Sequence, residues 1–167
     1  GYALVEEDRP GRFDVDAARA LGVEAGESFG ILQRGGEVTA RDGSVVRSEQ
    51  VVGESRRGRR IVYSGDTAAC SSIRDASRDA TLLVHEATFC ADERQRARET
   101  QHSTAAEAAL AAQEAGARML ALTHISSRYF GGEAADEARQ IFPATVVPRD
   151  FDVIEIPFAE RGEPVLV

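Results

Sequence analysis

The residues of this chain that are best suited to chemistry are one aspartate and three histidines near apolar runs that are typical of strands. Asp66 and His85 follow the first two runs, His124 follows the third, and His102 stands before the helix between the second and third runs. The carboxyl ends of neighbouring parallel strands meet at one edge of a sheet, where open α/β folds carry their chemistry. Imidazole and carboxylate groups are ligands of Zn²⁺ and Mn²⁺. The sequence therefore predicts part of a metal site.

Each of these residues also has an ordinary structural interpretation. An aspartate placed like Asp66 is commonly a turn residue or a helix N-cap, and His124 can simply end a strand. His102 can be a plain residue before a helix, and His85 can form a buried hydrogen-bonded pair with Glu86. The functional alternatives are a carboxylate that bridges two metal ions for Asp66 and a metal ligand for His124. His102 would donate a proton beside a bound phosphate, and one member of the pair His85-Glu86 would orient a ligand.

Arginines are further candidates for contacts with a substrate. Arg128 lies four residues beyond His124, so its guanidinium can either clamp a phosphate or form a surface ion pair. The four arginines between residues 56 and 60 can grip phosphate or lie in a solvated loop before a strand. No G-x-G-x-x-G or P-loop pattern occurs, and no strand-like run leads into a G-x-S-x-G elbow, which disfavours dinucleotide-binding, nucleotide-cradling and serine-hydrolase functions.

The composition is that of an acidic globular chain. The 167 residues suit one domain with its own core, and the formal net charge is -8. All positive charges are arginine, and the overall acidity argues against a nonspecific nucleic-acid surface. Cys70 and Cys90 lack metal-ligand spacing, which indicates reduced thiols and a cytoplasmic location. No apolar run approaches the ~20 residues of a membrane span, so no membrane partner is expected.

Residues 1–58 differ in pattern from the rest of the chain, since they are rich in glycine and charge. The segment Phe13–Val23 predicts a short helix capped near Asp14 and ended at Gly22. The segment Glu37–Val46 alternates around an Asp-Gly pair, which predicts a hairpin. We therefore expect a protruding helix-and-hairpin subdomain with little core of its own.

From residue 59 onward, strand-like and helix-like segments alternate. Strands are predicted at RIVYS, TLLVHE, RMLALTH, TVVP and DVIEIPF, with helices over roughly 70–77, 92–99, 103–116 and 132–142. The third helix has Ser103 or Thr104 as its N-cap, a capping box from Thr104 to Glu107 and a stop at Gly116. This alternation predicts the α/β class, with a largely parallel sheet covered on both faces.

Taken together, these motifs resemble the C-terminal half of the ribonuclease Z family, the tRNA 3′-processing endonucleases of the metallo-β-lactamase superfamily. The matching stretches are YSGDT, LLVHEATF, HSTAAEAA, LALTHISSRY, IFPATVVPRDF and IEIPF, which cover roughly Arg59–Phe158 in the family's order. The stretch FDVDAARALGVEAGESFGILQRGGEVTARDG resembles the family's exosite arm, which grips the tRNA elbow, although Ala25-Gly26-Glu27 stands in place of the usual Gly-Pro turn. The implied fold is the C-terminal half of an αβ/βα four-layer sandwich over 59–167, with the protruding arm and its flanks over 1–58.

The resemblance implies roles for individual residues. Asp66 would bridge two Zn²⁺ ions, or two Mn²⁺ ions, and His124 would bind the second of them. His102 would contact the scissile phosphate and assist proton transfer. Glu86 and Arg128 match catalytic motif positions near the site. Substrate contacts are implied at Ser103, Arg128 and the arm around Gly26 to Gly36.

The implied activity is the cleavage of precursor tRNA, in which a metal-bridging hydroxide attacks the phosphodiester just after the tRNA body. The 3′ trailer leaves and the tRNA keeps a 3′-hydroxyl. The family's H-x-H-x-D-H signature does not occur in this sequence. We therefore expect that the N-terminal half that carries it is missing and that this chain is inactive alone. The family also implies a homodimer in which one subunit's arm serves the other's active site.

Two other classes of function remain open. One is a metallo-β-lactamase-type hydrolase of small esters or phosphodiesters, whose rate would barely change if the arm were removed. The other is a non-catalytic fragment that binds tRNA or dimerises, whose function would survive the change Asp66→Ala. A true tRNA-processing enzyme would lose activity with either change.

Overall fold

The computed structural model describes residues 1–129 and 131–167. In chain order the strands and helices are β1 (Tyr2–Val5), α1 (Val15–Ala20), α2 (Glu27–Gln33), β2 (Glu37–Thr39), β3 (Val45–Arg47), β4 (Arg60–Tyr63), α3 (Ser71–Ala76), β5 (Leu82–Glu86), α4 (Arg94–Thr100), α5 (Ala105–Ala115), β6 (Leu120–Thr123), α6 (Gly131–Arg139), β7 (Thr145–Val146), β8 (Ile154–Glu155) and β9 (Val165–Leu166). The chain divides into two compact units, Gly1–Glu6 with Arg59–Val167, and Glu7–Gly58. None of the described helices has the length and apolarity needed to cross a bilayer.

The larger unit is built on a five-stranded sheet in the order β1-β4-β5-β6-β7. Strands β4 to β7 run parallel, as the alternation of strands and helices predicts. Strand β1 is an antiparallel edge strand, which the sequence pattern does not predict and which places residues 1–6 with this unit. The predicted α/β class is confirmed, with a mixed sheet in place of a wholly parallel one.

Helices cover one face of this sheet. Helices α3, α5 and α6 contribute to a core there that includes Val62, Leu83 and Leu120. Helix α5 can approach the strands closely because each of its buried residues is an alanine. The close approach holds the N-terminus of α5 near the carboxyl end of β5.

The opposite face of the sheet is only partly covered. Its buried members are Leu82, Met119 and Ala121. Ile154 and Ile156, in and beside β8, pack against them, and no residue of a described helix belongs to this cluster. Tyr2 and Tyr63, which pair across β1 and β4, are 81% and 45% exposed. The expectation that both faces are covered is therefore wrong for the part of the chain that the structure describes.

Helix α5 begins and ends where the sequence predicts. The Thr104 hydroxyl accepts a hydrogen bond from the backbone N–H of Glu107 at 3.2 Å, and the Glu107 carboxylate accepts one from the backbone N–H of Thr104 at 3.0 Å. Gly116 ends the helix with φ of +67°, in the left-handed region that glycine adopts easily. This capping box fixes the chain direction immediately after His102 and Ser103.

The smaller unit has a core of its own, contrary to the expectation. The predicted helix is α1, capped by Asp14, whose side chain accepts from the backbone N–H of Ala17 at 2.9 Å. The predicted hairpin is confirmed by the antiparallel pairing of β2 with β3. Helix α2 is not predicted. Its fully buried Leu32 belongs to the core of the smaller unit, and this core explains why the expectation of little core is wrong. The other buried members are Ala18, Val23, Ala40, Val46 and Val51.

Candidate metal centre

Four of the predicted site residues meet at the carboxyl edge of the sheet in the larger unit. Asp66 follows β4, Glu86 ends β5, His124 follows β6 and His102 precedes the capped start of α5. The Nε2 atom of His124 lies 3.5 Å from Oδ2 of Asp66, and Nδ1 of His102 lies 2.7 Å from Oε1 of Glu86. The two imidazole rings stack with their centroids 5.2 Å apart. The two pairs therefore form one cluster.

Glu86 is the most buried member of this cluster, with 1% of its surface exposed. Its Oε1 atom accepts from the backbone N–H of Thr67 at 2.8 Å and from Nδ1 of His102 at 2.7 Å. Its Oε2 atom accepts from the Thr88 hydroxyl at 2.7 Å, from the Thr88 N–H at 3.1 Å and from the Ser103 N–H at 3.2 Å. A carboxylate offers about four lone-pair sites, so these donors saturate it.

The hydrogen bonds determine the charge of Glu86. Burial raises the pKa of its carboxyl, but the bonds from Thr88, Thr67, His102 and Ser103 outweigh burial and hold the pKa below its ordinary value. The group is therefore an ionised acceptor at neutral pH. It follows that Nδ1 of His102 carries the proton of the 2.7 Å contact and that the Nε2 atom of His102 is left for another partner.

Thr88 joins the two pairs of residues. Its hydroxyl oxygen lies 2.7 Å from Oε2 of Glu86, 3.1 Å from Nδ1 of His102 and 2.8 Å from Nδ1 of His124. Sequence reasoning did not single out Thr88. The available signal was its spacing of two from Glu86, which in an extended chain places both side chains on the same side, but a threonine in an apolar run has many other uses.

His124 has an uncommon backbone conformation. Its φ is +54°, in the left-handed region, where a residue other than glycine costs about 1 to 3 kcal/mol. The turn places Nδ1 of His124 against Thr88 and Nε2 towards Asp66. The side chains of His124 and Asp66 are 47% and 60% exposed, so this side of the cluster is open to solvent.

His85 does not join the cluster. Its Nδ1 atom contacts the carbonyl oxygen of Glu86 at 2.7 Å, and the residue is 1% exposed. Burial lowers the pKa of His85, although the Glu86 carbonyl and the carboxylates of Glu86 and Glu107 act in the opposite direction. The ring is thus neutral at pH 7 and donates its Nδ1–H to the carbonyl. Of the two alternatives for His85, the buried structural one fits this placement.

Ser103 and Arg128 lie beside the cluster in different surroundings. Ser103 is fully buried, its N–H contacts Glu86, and its hydroxyl donates to the carbonyl oxygen of Thr67 at 2.7 Å. The Ser103 hydroxyl is used in that bond, so Ser103 joins the loop after β4 to the start of α5, and its contact with a substrate stays a prediction. Arg128 forms an ion pair with Glu93 at 3.0 Å, and both side chains are partly exposed.

The donor atoms fit a zinc ligand set. Glu86, His102 and His124 offer ligand atoms within 4.8 Å of one another, but the oxygens of Glu86 are saturated and the Nδ1 atoms of the histidines face Glu86 and Thr88. Asp66 and Nε2 of His124 fit better. Two donors that share a tetrahedral zinc at bond lengths of 2.0 to 2.2 Å lie roughly 3.4 Å apart, and the observed separation is 3.5 Å.

Comparisons with known proteins point to one superfamily. A family model described as "Beta-lactamase superfamily domain" matches residues 9–125. The chain is 62% identical over 129 residues to the ribonuclease Z of Myxococcus xanthus, covering 77% of this chain and 42% of that relative. It is 50% identical over 163 residues to the ribonuclease Z of Haloferax volcanii, covering 96% of this chain and 51% of that relative. The crystal structure of the metallo-beta-lactamase fold protein YhfI from Bacillus subtilis matches with a TM-score of 0.50 and 32% identity, covering 53% of this chain and 36% of that chain.

The chain belongs to the metallo-β-lactamase superfamily. Within that superfamily it is similar to ribonuclease Z, which confirms the resemblance seen in the sequence motifs. The chain spans about half the length of the curated relatives that it matches.

Proposed function

We propose that this chain forms part of a zinc-dependent endoribonuclease that removes 3′ trailers from precursor tRNA. The observation that carries the proposal is the hydrogen-bonded pair of Glu86 and His102 beside the ligand pair of Asp66 and His124. An imidazole held by a buried carboxylate next to metal ligands is suited to the hydrolysis of a phosphodiester. The ribonuclease Z relatives support tRNA as the substrate.

In this proposal each residue of the cluster has one task. Asp66 and His124 would hold zinc, and the Asp66 carboxylate would be available to a second ion. Bound zinc lowers the pKa of water and offsets the charge that develops on the phosphoryl group. His102 donates a proton from Nε2 to the leaving oxygen, so that the tRNA keeps a 3′-hydroxyl. Glu86 holds the other ring nitrogen at 2.7 Å and stabilises the protonated imidazole.

The described residues supply only part of a two-zinc centre. A zinc ion takes about four ligands, whereas Asp66 and His124 provide one side chain each. We expect the remaining ligands to come from a segment with an H-x-H-x-D-H signature, in the half of the relatives that this chain does not match. The exposed Tyr2 and Tyr63 support this expectation, because the other half of an αβ/βα four-layer sandwich would cover that face of the sheet.

The smaller unit would serve as the exosite arm. The segment from Gly26 to Gly36, proposed to contact tRNA, contains helix α2, which begins after Gly26 with its φ of +122°. In the proposed homodimer, the arm of one subunit would bind the tRNA that the other subunit cleaves.

The test is cleavage of a 3′-extended precursor tRNA in Zn²⁺ or Mn²⁺. This chain is assayed alone and as a complex with the segment of the Haloferax volcanii relative that it does not match. We expect cleavage only by the complex, with loss of activity on Asp66→Asn and a rate lower by about 10² to 10⁴ on His102→Gln. Glu99→Gln, at an exposed position of α4, is the matched control and should change nothing.

Other outcomes identify the alternatives. A folded, zinc-loaded complex that hydrolyses bis-p-nitrophenyl phosphate but leaves precursor tRNA intact would replace the proposal with a small-substrate hydrolase. Binding of tRNA that is unchanged by Asp66→Ala, without cleavage by any complex, would indicate a non-catalytic fragment. Cleavage by the chain alone would show that the account of the absent ligands is wrong.

A further inference from the structure

We infer that Thr88 is a positioning residue whose hydroxyl selects the imidazole tautomer of His124, with the proton on Nδ1 and the lone pair on Nε2. Only the purpose of this tautomer rests on the proposed function: it keeps Nε2 of His124 available to a metal ion. The hydrogen-bond pattern that supports it involves this chain alone.

The Thr88 hydroxyl has a single proton to donate. The shortest contact of Oγ1, at 2.7 Å, is with Oε2 of Glu86, which is ionised and can only accept. The hydroxyl proton is therefore used in that bond. The remaining lone pairs of Oγ1 can only accept, so the His124 nitrogen at 2.8 Å must be a donor. That nitrogen is Nδ1.

The consequence appears at the other nitrogen of His124. In a neutral ring with the proton on Nδ1, Nε2 has a lone pair, which is the form that binds a metal. In the alternative tautomer, the Nε2–H group would point at Oδ2 of Asp66, 3.5 Å away, and the two ligand atoms would interact with each other. Thr88 disfavours that state because it would then face two acceptors with one proton.

The other two histidines provide internal references. Nδ1 of His102 is held by Oε1 of Glu86 at 2.7 Å, and Nδ1 of His85 is held by the carbonyl oxygen of Glu86 at 2.7 Å. Each of these bonds fixes a proton on Nδ1 without need of the Thr88 hydroxyl. Removal of that hydroxyl should therefore change one ring out of the three that the sequence contains.

The experiment reads the tautomers directly. Long-range ¹H–¹⁵N spectra distinguish protonated from unprotonated ring nitrogens, and they are recorded on the metal-free chain about two pH units above the ordinary histidine pKa of about 6.5. Thr88→Val removes the hydroxyl and keeps the shape of this buried side chain, while Thr88→Ser keeps the hydroxyl. We expect Nδ1–H at all three rings in the original chain and in the serine variant. In the valine variant we expect Nε2–H at His124 only.

Several results would overturn the inference. A proton on Nε2 of His124 in the original chain would do so without any variant, which keeps the test valid even if Thr88→Val fails to fold. Retention of Nδ1–H at His124 in a folded valine variant would also do so, as would a change of tautomer in the serine variant. Because no metal or RNA is present, this test is separate from the cleavage assay: the expected tautomers together with an inactive complex would refute the proposed function and leave the role of Thr88 standing.

Discussion

The carboxylate of Glu86 lies 2.7 Å from Nδ1 of His102, and this contact orients the imidazole before any substrate binds. The donors around Glu86 come from the loop after β4, from the end of β5 and from the start of α5, so three separate parts of the larger unit hold one buried charge. Preorganised charge of this kind needs no rearrangement during a reaction. It also links the geometry of the site to the stability of the fold.

Replacement of Glu86 by glutamine should therefore destabilise the fold. The amide of Glu86→Gln has one acceptor oxygen and one NH₂ group. In one orientation the NH₂ group faces the N–H of Thr67, and in the other it faces the N–H groups of Thr88 and Ser103. We expect the free energy of unfolding to fall by about 1 to 3 kcal/mol at pH 7, since buried donors lose their partners. Urea denaturation followed by circular dichroism measures this difference.

The control for this prediction is Glu99→Gln, at an exposed position on α4, which should stay within about 0.5 kcal/mol. The pH dependence gives a second check. The folded pKa of Glu86 is below its ordinary value of 4.5, so its contribution to stability is present above 4.5 and is lost as the pH falls through the lower folded value. Equal stability of Glu86→Gln and the original chain at pH 7 would contradict the view that the five donors favour the charged form.

His85 should make the fold sensitive to mild acid. Burial lowers the pKa of His85 below 6.5, so the unfolded chain binds this proton more readily than the folded chain. The contribution of His85 to stability is complete above pH 6.5 and decreases as the pH falls from there towards the lower folded value. Urea unfolding at a series of pH values between 8 and 5 should show this slope, and His85→Gln should flatten it. A slope unchanged by His85→Gln would assign the effect to other groups.

The sequence was sufficient for the elements whose signals are local. Strands β5 and β6 are short apolar runs between breaker residues, and the capping box and Gly116 delimit α5 without reference to the rest of the chain. The positions of Asp66, Glu86, His102 and His124 at one sheet edge follow from the parallel order of the strands. Strand β1 and helix α2 were missed because pairing with β4 and burial of Leu32 stabilise them, and neither contact is visible in their own residues.

The finer arrangement of the site depended on tertiary contacts. The pairing of Glu86 with His102 joins residues 16 apart in the chain, and the contact of Thr88 with His124 joins residues 36 apart. The left-handed φ of His124 has no signal in an Ala-Leu-Thr-His-Ile stretch. The sequence allows either Ser103 or Thr104 as the N-cap of α5; the structure has Thr104, and the complete burial of Ser103 comes from contacts that no local pattern shows.

The N-cap of α5 should be important for both stability and the site. Thr104→Ala removes the hydroxyl that accepts from the Glu107 N–H and should lower the free energy of unfolding by about 1 kcal/mol. Because Ser103 and His102 directly precede the cap, the amide signals of both residues should also shift. Thr100→Ala, at the exposed end of α4, is the control. An unchanged midpoint in urea for Thr104→Ala would show that packing of the α5 alanines, and not the cap, sets the start of the helix.

Arg128 can clamp a phosphate only if its guanidinium leaves Glu93. The two side chains are 47% and 32% exposed and 3.0 Å apart, and a surface pair of this kind is typically worth about 0 to 1 kcal/mol. Glu93→Gln should therefore free Arg128 and strengthen the binding of precursor tRNA to the assembled complex. Arg128→Gln should weaken it, with little effect on folding.

The measurement for Arg128 is the affinity for labelled precursor tRNA over a range of salt concentrations. Loss of one phosphate contact should reduce the slope of log K against log salt by about 1. Arg74→Gln is the matched control, because Arg74 forms a comparable exposed pair with Glu114 between α3 and α5. If both variants weaken binding equally, overall charge explains the effect and Arg128 is no clamp. If only Arg128→Gln lowers the slope, the guanidinium binds a phosphate in the complex.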